Sequence, residues 1–447
     1  MGLLSRIVRS IIYAMLRTVQ TVAYHTLGCK LNYAETATIN RDLESRGYAT
    51  LPFDDVADLY VINTCTVTEN ADRDFRKLVN RIKRRAPKAR IAAIGCYAQL
   101  KPERLSTEMG IDIVLGNGEK YRLAEYLQQD LSQGIVAVDR DLESEHHSFQ
   151  SAYSLGDRTR TFLKVQDGCD YLCTYCTIPM ARGRSVSDSA DNILVNAREI
   201  AAAGVREIVL TGVNVGDYRW QGMNLESLLR ELVRVDGIER IRISSIEPNL
   251  LTDAIIDLIA AESVLLPHLH LPLQSGSDVV LGRMKRRYQT TLYIDRVAAI
   301  RKAMPEAGIG ADVIVGFPGE TEDLFRETYS FIQDLDLSYL HVFTYSPRPD
   351  TEAVNLPAAV PIQEKKDRNR RLTMLGKKKW RGFAERNLGA IRPVLLEQNQ
   401  NDWSTGLTDN YLRVKIPRRL PECLNTIVNV RLEAIDDHDL IGVCASW

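Results

Sequence analysis

The sequence lacks an apolar run long enough to cross a membrane. The stretch MGLLSRIVRSIIYAML at the start is interrupted by Arg6 and Arg9, and Arg17 follows it, so no apolar span of about 18 residues remains. Its uncharged segment 10–16 is short for a secretory signal, and no small-residue cleavage site follows before the first predicted strand near Thr21. We interpret residues 1–20 as an N-terminal extension and expect a cytoplasmic protein.

The chain also lacks a net charge that would attract a polyanion as a whole. The formal charge is −1 over 447 residues, of which 45% are hydrophobic and 26% charged, and this composition excludes a disordered or fibrous chain. Two segments differ from this average, the first basic block (residues 73–90) and the second basic block (residues 365–381), each with nine lysines or arginines and few acids. Each block indicates either a solvated helix face or a local surface for an anionic partner.

No Walker-type phosphate loop, internal repeat or low-complexity tract is present, and GNGEKY at Gly116 is too short for a dinucleotide-binding fingerprint. Between residues 21 and 140, apolar runs alternate with helical periodicity, which predicts a doubly wound parallel α/β domain. The spacing predicts a first helix over 33–46, and TVTE at 66–69 has the spacing of a capping box at the start of a second. The predicted strands are TVAYHTLGC, LYVINTC, RIAAIGC and IDIVLGN, and the second helix should bury Phe75, Leu78, Val79 and Ile82.

The polar residues 141–157 are predicted to be a linker, and residues 158–375 again alternate strand and helix. This pattern predicts a partial (β/α) barrel, whose active site is built from the loops at the carboxyl ends of the strands. One predicted helix spans 191–204, and a basic helix covers 361–380. The predicted strands are TFLKVQDG, EIVLTGV, RIRISSIEP, HLHLPLQ, IGADVIVGFP and YLHVFTYSP.

After about Ile391 the pattern changes to short strands with turn residues, which predicts a small all-β module within residues 376–447. The predicted fold class is therefore α/β. It combines a doubly wound domain at 21–140, a partial barrel at 158–375 and a C-terminal all-β module.

Eight cysteines in a long chain without a secretory signal indicate metal binding or catalysis rather than disulfides. Six of them form two sets, each one ligand short of the four that a closed zinc site needs. The first cysteine set is Cys29, Cys65 and Cys96, each at the predicted end of a strand. The second cysteine set is Cys169, Cys173 and Cys176, spaced as C-x3-C-x2-C.

Each set can hold three irons of a [4Fe–4S] cluster and leave the fourth iron open to a substrate or to sulfur. Zinc remains an alternative for the second set. Cys423 and Cys444 have no other cysteine close to them in sequence and are predicted to be structural, and His268 and His270 are predicted to be packed histidines.

The second cysteine set, after the first strand of a predicted βα barrel, resembles the radical S-adenosylmethionine (SAM) superfamily. The motifs TLGCKLNYAET, VINTCTVTENAD, IGCYAQ, DGCDYLCTYCTIPMARGRS, LTGVNVGDY, RISSIEP, HLPLQSGSD and DVIVGFPGET resemble the methylthiotransferase family, in the right order and over most of residues 21–447. The stretches TLGCKLN and CTIPMARGRS are most similar to the branch that acts on N6-threonylcarbamoyladenosine in tRNA. The C-terminal module resembles a TRAM domain, a small OB-like RNA-binding barrel.

This resemblance implies a radical SAM cluster on the second cysteine set and an auxiliary cluster on the first. It implies that SAM is both methyl donor and radical source, and that a methylthio group replaces the hydrogen at C2 of the modified adenosine at position 37 of the anticodon loop. The implied SAM-binding residues are Tyr175, Thr211, Gly212, Asn214, Ser245, Glu247, Gln274, Val313 and Gly316. Backbone or capping roles remain alternatives for several of them.

The resemblance also implies partners: the anticodon stem-loop of tRNA, an electron donor such as flavodoxin or ferredoxin, and a sulfur source. The basic blocks and the cluster at 283–287 are then expected to contact phosphates. Two other functions stay open, methylthiolation of a ribosomal-protein side chain and a non-catalytic, zinc-bound RNA-binding protein.

Overall fold

The computed structural model describes residues 20–65, 69–140, 142, 148–156, 159–417 and 420–445. Residues 1–19 of the predicted extension and residues 66–68 of the predicted capping box lie outside this range. The chain forms two compact units, divided between residues 147 and 148. Within the described residues, no helix combines the length and the apolar character needed to span a membrane.

The first unit contains a sheet of six parallel strands in the order β2-β1-β3-β4-β5-β6. The strands are β1 (Thr21–Thr26), β2 (Ala49–Thr50), β3 (Leu59–Thr64), β4 (Arg90–Gly95), β5 (Ile113–Leu115) and β6 (Ile135–Ala137). The helices are α1 (Lys30–Ser45), α2 (Glu69–Arg85), α3 (Cys96–Leu100) and α4 (Leu123–Tyr126).

Apolar side chains from this sheet are buried on both faces. Because side chains alternate along a strand, Tyr60 and Ile62 of β3 pack in a cluster with α2, whereas Val61 packs in a second cluster with α1 and α4. The predicted apolar face of α2 is buried, and each such side chain contributes about 1.5–3 kcal/mol on burial. The prediction of a doubly wound parallel domain is confirmed.

The second unit contains six parallel strands in the order β7-β10-β13-β14-β15-β16, in two three-stranded sheets that isolated parallel bridges connect. The strands of this part are β7 (Arg160–Lys164), β8 (Gln166–Asp167), β9 (Val186–Ser187), β10 (Glu207–Thr211), β11 (Arg219–Trp220), β12 (Met223–Asn224), β13 (Arg240–Ile243), β14 (His268–His270), β15 (Gly308–Val315) and β16 (Tyr339–Thr344). All six predicted strands are present, and the predicted partial barrel is confirmed.

Helices cover the outer side of this partial barrel and share its core. They are α5 (Ile178–Arg182), α6 (Ala190–Ala202), α7 (Leu225–Leu232), α8 (Asp253–Ala261), α9 (Asp278–Arg283), α10 (Thr290–Ala303), α11 (Glu322–Asp334) and α12 (Ile362–Arg386). Four of them begin with a Ser, Asn or Thr whose side chain accepts a hydrogen bond from the first turn, at Ser189, Asn224, Thr252 and Thr321. The predicted basic helix corresponds to α12 and is longer than expected.

After α12 the chain forms a closed barrel of five strands in the order β17-β18-β19-β21-β20. The strands are β17 (Ile391–Gln400), β18 (Trp403–Thr408), β19 (Arg413–Ile416), β20 (Ile427–Asp436) and β21 (Asp439–Cys444). This barrel has its own core, which includes Phe383 and Ala384 of α12 and Cys423 and Cys444 at its margin. The predicted all-β, OB-like module is confirmed, while the exact domain boundaries stay predictions.

Candidate active site

The first cysteine set lies at one edge of the first unit's sheet. Cys29 directly precedes α1, Cys65 directly follows β3, and Cys96 is the first residue of α3, after β4. Because β1, β3 and β4 are neighbours and run parallel, their carboxyl ends meet at the same edge. A Cβ placed on Gly28 would lie only 2.9 Å from the sulfur of Cys65, so the loops of Cys29 and Cys65 are in direct contact.

Two polar side chains hold these loops together. The Asn32 amide nitrogen donates to the carbonyls of Leu27, at 2.9 Å, and Thr64, at 3.1 Å. The Thr64 hydroxyl accepts from the backbone N–H of Tyr97 at 3.1 Å and donates to the carbonyl of Ile94 at 2.6 Å. The three cysteine-bearing loops are thus fixed to one another by hydrogen bonds rather than by sheet pairing alone.

A buried ionic network supports Cys96. The Asn117 amide nitrogen lies 3.7 Å from the Cys96 sulfur, and its oxygen accepts from the Lys120 ammonium at 2.7 Å. Lys120 also forms an ion pair of 2.6 Å with Glu35 on α1, and both side chains are at most 1% exposed. Separating a buried pair would leave an uncompensated buried charge, at a cost of about 3–5 kcal/mol, so this pair resists movement of Lys120 away from α1.

The second cysteine set lies in the loop after β8, where Gly168 is required. Gly168 has φ +65°, and a Cβ there would overlap the carbonyl oxygen of Arg184. Backbone N–H groups within the loop point at two of the sulfurs: that of Tyr171 lies 3.4 Å from Cys169, and that of Ile178 lies 3.5 Å from Cys176. Such donors stabilise the negative charge of a thiolate ligand.

The third sulfur of this set is held by a buried guanidinium. Arg286 Nη1 lies 3.2 Å from the Cys173 sulfur, and Nη2 bonds Glu247. The Arg286 side chain is 3% exposed. Glu247, predicted to contact SAM, thus orients the arginine that donates to a cysteine of the loop.

Burial controls the protonation of these thiols. It raises the pKa of Cys169 to about 11 and that of Cys176 to about 12, and the N–H donors of Tyr171 and Ile178 only partly offset it. Without a cation both groups are therefore neutral thiols near pH 7. Metal ligation displaces these protons, and the donors to sulfur then suit the thiolate form.

Polar groups without partners lie at the rim of the partial barrel. Both side-chain polar atoms of Asn214, which is 4% exposed, and the Oε1 atom of Gln274 are buried without a hydrogen bond. The Asn214 backbone N–H donates to Gln166 Oε1 at 2.8 Å, so the loop itself is fixed. Orphaned buried amides are rare in native proteins, and these two fit a polar ligand such as SAM.

Thr211 and Gly212, beside Asn214, act through packing and backbone contacts. The Thr211 hydroxyl donates to the carbonyl of Val209 at 3.0 Å, and a Cβ at Gly212 would lie 2.9 Å from Gln166 Oε1. The Ser245 hydroxyl lies 2.8 Å from His270 Nδ1. Their predicted contacts with SAM stay predictions.

Contacts within the protein are visible at two other rim loops. Gly316 has φ +75°, and a Cβ there would overlap the aliphatic stem of Lys365. Glycine therefore suits the turn and the packing of Lys365 at this position, and the predicted contacts of Gly316, Tyr175 and Val313 with SAM stay predictions. Tyr175 packs edge-on against Phe317, 6.3 Å between ring centroids. Val313 is paired with Gln274 through a backbone bridge.

The basic segments are only partly on the surface. In the second basic block, Lys365 and Arg368 are 8% and 2% exposed, and Arg368 pairs with the buried Glu320 at 3.0 Å. The prediction that the whole block contacts phosphates is therefore wrong for these two residues, which hold α12 against the barrel. Exposed members of the two blocks are Arg73, Arg76, Lys77, Arg81, Lys83, Arg84, Lys88, Arg90, Lys366, Arg370, Lys377, Lys378 and Arg381.

Several residues that shape the site were not singled out from the sequence. Gln166 donates to the carbonyls of Asp167 and Gly168, each at 2.8 Å, and so shapes the cysteine loop. Asn32, three residues after Cys29, could have been noticed as a polar side chain in the first turn of a helix. Lys120 and Asn117 lie far from any cysteine in sequence, and only the sheet brings them close.

Comparisons with known proteins match both units. Residues 21–116 match the family described as Uncharacterized protein family UPF0004, and residues 163–332 match the Radical SAM superfamily. The chain is 40% identical over 399 residues to a protein of Aquifex aeolicus named threonylcarbamoyladenosine tRNA methylthiotransferase MtaB, covering 88% of this chain and 96% of that one. A Bacillus subtilis protein of the same name is 38% identical, covering 92% and 93%.

Other relatives carry a different name, and a solved structure shares the fold. A Geobacter metallireducens protein named tRNA-2-methylthio-N(6)-dimethylallyladenosine synthase is 34% identical, covering 94% of this chain and 97% of that one. The radical SAM methyltransferase TsrM of Kitasatospora setae, solved with cobalamin and a [4Fe-4S] cluster, has a TM-score of 0.55 at 17% identity, covering 75% and 77%. That likeness concerns the fold alone.

These matches confirm that the chain is a transferase enzyme whose cofactors are SAM and two [4Fe–4S] clusters. The level of identity over nearly the full length of several relatives decides the family. The chain belongs to the radical SAM methylthiotransferase family of tRNA-modifying enzymes.

Proposed function

We propose that this enzyme replaces the C2 hydrogen of N6-threonylcarbamoyladenosine at position 37 of the tRNA anticodon loop with a methylthio group. The observation that carries this proposal is the presence of two separate three-cysteine sites, each at the carboxyl ends of strands. A reaction that must both break an unactivated C–H bond and deliver sulfur needs two such centres.

The choice of nucleoside rests on the named relatives. Relatives from five bacteria, 33–40% identical, are named threonylcarbamoyladenosine tRNA methylthiotransferases, whereas three dimethylallyladenosine synthases are 32–34% identical. The ranges overlap, so the motifs TLGCKLN and CTIPMARGRS add the remaining support. The names of both groups of relatives give tRNA as the substrate and do not mention a ribosomal protein, which favours tRNA as the substrate.

Cys169, Cys173 and Cys176 would hold the radical SAM cluster in the proposed enzyme. When bound, this cluster supplies the electron that cleaves SAM and so starts the radical chemistry at C2. Arg286 and the N–H groups of Tyr171 and Ile178 offset the negative charge of the thiolates. Asn214 and Gln274 offer the buried amides that would orient the polar end of SAM.

Cys29, Cys65 and Cys96 would hold the auxiliary cluster, beside which the sulfur is delivered. Because the C2 hydrogen is not acidic, no general base is assigned. Asn32 and Thr64 keep the three loops in register, and Asn117 donates toward the Cys96 sulfur. These residues hold the sulfur ligands in place.

The exposed members of the two basic blocks and the C-terminal barrel would bind the anticodon stem-loop. Phosphate contacts of this type position an RNA without selecting its sequence, and an anticodon loop can present a single unstacked base. A cytoplasmic location, a flavodoxin or ferredoxin as electron donor and a separate sulfur source belong to the same proposal.

Mass spectrometry of tRNA nucleosides from a strain lacking the gene tests the substrate. We expect 2-methylthio-N6-threonylcarbamoyladenosine to disappear, unmodified N6-threonylcarbamoyladenosine to accumulate, and both to return with the wild-type gene. Loss of the methylthio mark on dimethylallyladenosine instead would assign the enzyme to the other branch. Unchanged tRNA would contradict the proposal.

A further inference from the structure

A group of three side chains inside the partial barrel belongs to neither cysteine set. We name it the lumen triad: His270 on β14, Asp312 on β15 and His341 on β16. Asp312 Oδ1 lies 3.1 Å from His270 Nε2 and 3.2 Å from His341 Nδ1. A search of the described residues for three or more metal-ligating atoms within 4.8 Å of one another gives this group.

His270 differs from the packed histidine that its sequence predicts. The neighbouring His268 fits that prediction: its Nε2 lies 2.8 Å from the Tyr339 hydroxyl, and its ring stacks on Tyr411, 4.2 Å between centroids. His270 is only 8% exposed, yet its Nε2 has no hydrogen-bond partner of acceptable geometry, although Asp312 is close. A buried ring nitrogen directed at a carboxylate without a proper hydrogen bond indicates a missing ligand.

The other nitrogen of His270 is already fixed. Nδ1 lies 2.8 Å from the Ser245 hydroxyl, an oxygen that can accept the Nδ1 proton. This arrangement directs the Nε2 lone pair into the lumen triad. Histidines that bind metals usually donate their second N–H to an oxygen in this way, which fixes the tautomer.

Asp312 supplies a negative charge that no basic residue neutralises. Within the described part of the chain its charged neighbours are His270 and His341, and it has no lysine or arginine partner. Its side chain is 24% exposed.

We propose that the lumen triad binds one divalent first-row transition-metal ion through His270 Nε2, Asp312 Oδ1 and His341 Nδ1. Ligands at right angles around an ion with bonds of about 2.1 Å lie about 3 Å apart, which matches the two measured separations. Two imidazoles and one carboxylate suit such an ion better than Mg²⁺ or Ca²⁺. The His341 side chain is 53% exposed, so an ion can reach the group from solvent.

Manganese binding to the cluster-loaded holoenzyme tests this proposal. Mn²⁺ is titrated anaerobically into protein freed of excess iron, and the electron paramagnetic resonance of unbound Mn²⁺ is recorded. We expect one Mn²⁺ per chain to be retained and then displaced by Zn²⁺, which binds nitrogen ligands more tightly. Failure of the wild-type holoenzyme to retain Mn²⁺ would overturn the proposal.

Substitutions identify the ligands. Asp312→Asn and His341→Ala should each abolish retention, and Ser245→Ala should weaken it roughly 10- to 100-fold through loss of the histidine's orientation. His438→Ala, a half-exposed histidine of the C-terminal barrel, should retain the ion as the wild type does. His341→Ala is exposed enough to fold even where Asp312→Asn does not, and iron content and circular dichroism check each variant. Equal retention by wild type and His341→Ala would reject the site.

Discussion

Cys65 is a single side chain whose removal separates the two halves of the proposed reaction. It follows β3 in the first unit, and SAM binding is assigned to the second. We expect Cys65→Ala to abolish methylthio transfer but to retain formation of 5′-deoxyadenosine, with bound iron falling from about eight to about four per chain. Chromatography of the nucleosides and iron analysis measure both effects. Cys423→Ala, at the margin of the C-terminal barrel, is the matched control, and persistent methylthiolation in Cys65→Ala would reject the assignment of the first set.

Lys120 offers a second test at the level of one side chain. Because Lys120→Met removes the ion-pair partner of the fully buried Glu35, we expect a loss of roughly 3–5 kcal/mol in the free energy of unfolding of the first unit. The double variant Glu35→Gln/Lys120→Met should recover part of that loss. Lys77→Met, whose side chain is 75% exposed, should change stability little in urea unfolding monitored by circular dichroism. A double variant as unstable as the single one would contradict the pairing.

The position of the first cysteine set at one sheet edge could be predicted from the sequence, because each of its members comes after a strand whose apolar pattern is clear. The partners of those cysteines could not. Asn117 and Lys120 approach Cys96 only through tertiary packing, and the exposure of Lys365 depends on a turn at Gly316. Local sequence patterns predict the helices and strands, whereas the contacts between charged side chains depend on how those helices and strands pack together.

At the level of strands, Glu207 joins β10 and β13 from a fully buried position. It lies 2.9 Å from Arg242 and 3.6 Å from Arg240. Burial alone would raise the pKa of the Glu207 carboxyl, but the charges of Arg242 and Arg160 outweigh it and lower the pKa below the ordinary 4.5. The stabilising contribution is therefore complete above a pH of about 4.5 and is lost as the pH falls through the lower folded pKa.

The lowered pKa of the Glu207 carboxyl gives a prediction for acid unfolding. Between pH 7 and about 4.5, Glu207→Gln should be less stable than wild type by about 3–5 kcal/mol, because two buried guanidiniums lose their counterion. Below that range the difference should shrink, since the wild-type carboxylate takes up a proton there. Urea unfolding midpoints of wild type and Glu207→Gln, measured at several pH values in and below this range, give the difference in stability. Glu226→Gln, which removes a surface pair with Arg230, should show little effect, and a pH-independent gap for Glu207→Gln would refute the explanation.

Some short strands and some helix and strand ends could not be predicted from the sequence pattern. The short edge strands β2 and β6 were not predicted, because two or three residues carry too little periodicity. The strands preceding the first cysteine set end before the cysteine, since Cys29 and Cys96 begin turns into helices. The longer α12 continues past residue 380 because Phe383 and Ala384 join the barrel core.

For the chain as a whole, RNA binding should depend on salt through the exposed basic residues. Lys377→Ala/Lys378→Ala should weaken anticodon stem-loop binding for all sequences alike and reduce the slope of log affinity against log salt by roughly 1–2. Binding isotherms at several KCl concentrations measure this slope. Lys302→Ala, an exposed lysine outside both basic blocks, should leave the slope unchanged. An unaltered slope in the double variant would remove the second basic block from the interface.

The C-terminal barrel is joined to the partial barrel by guanidinium groups. Arg240 donates to the carbonyls of Leu407 and Pro393, and Arg242 donates to those of Asp409 and Thr408. These hydrogen bonds fix the position of the small C-terminal barrel on the partial barrel. In the proposed complex it would therefore set the distance between the RNA stem that it binds and the rim of the partial barrel, so that the length of the stem rather than its sequence decides which nucleotide reaches the rim.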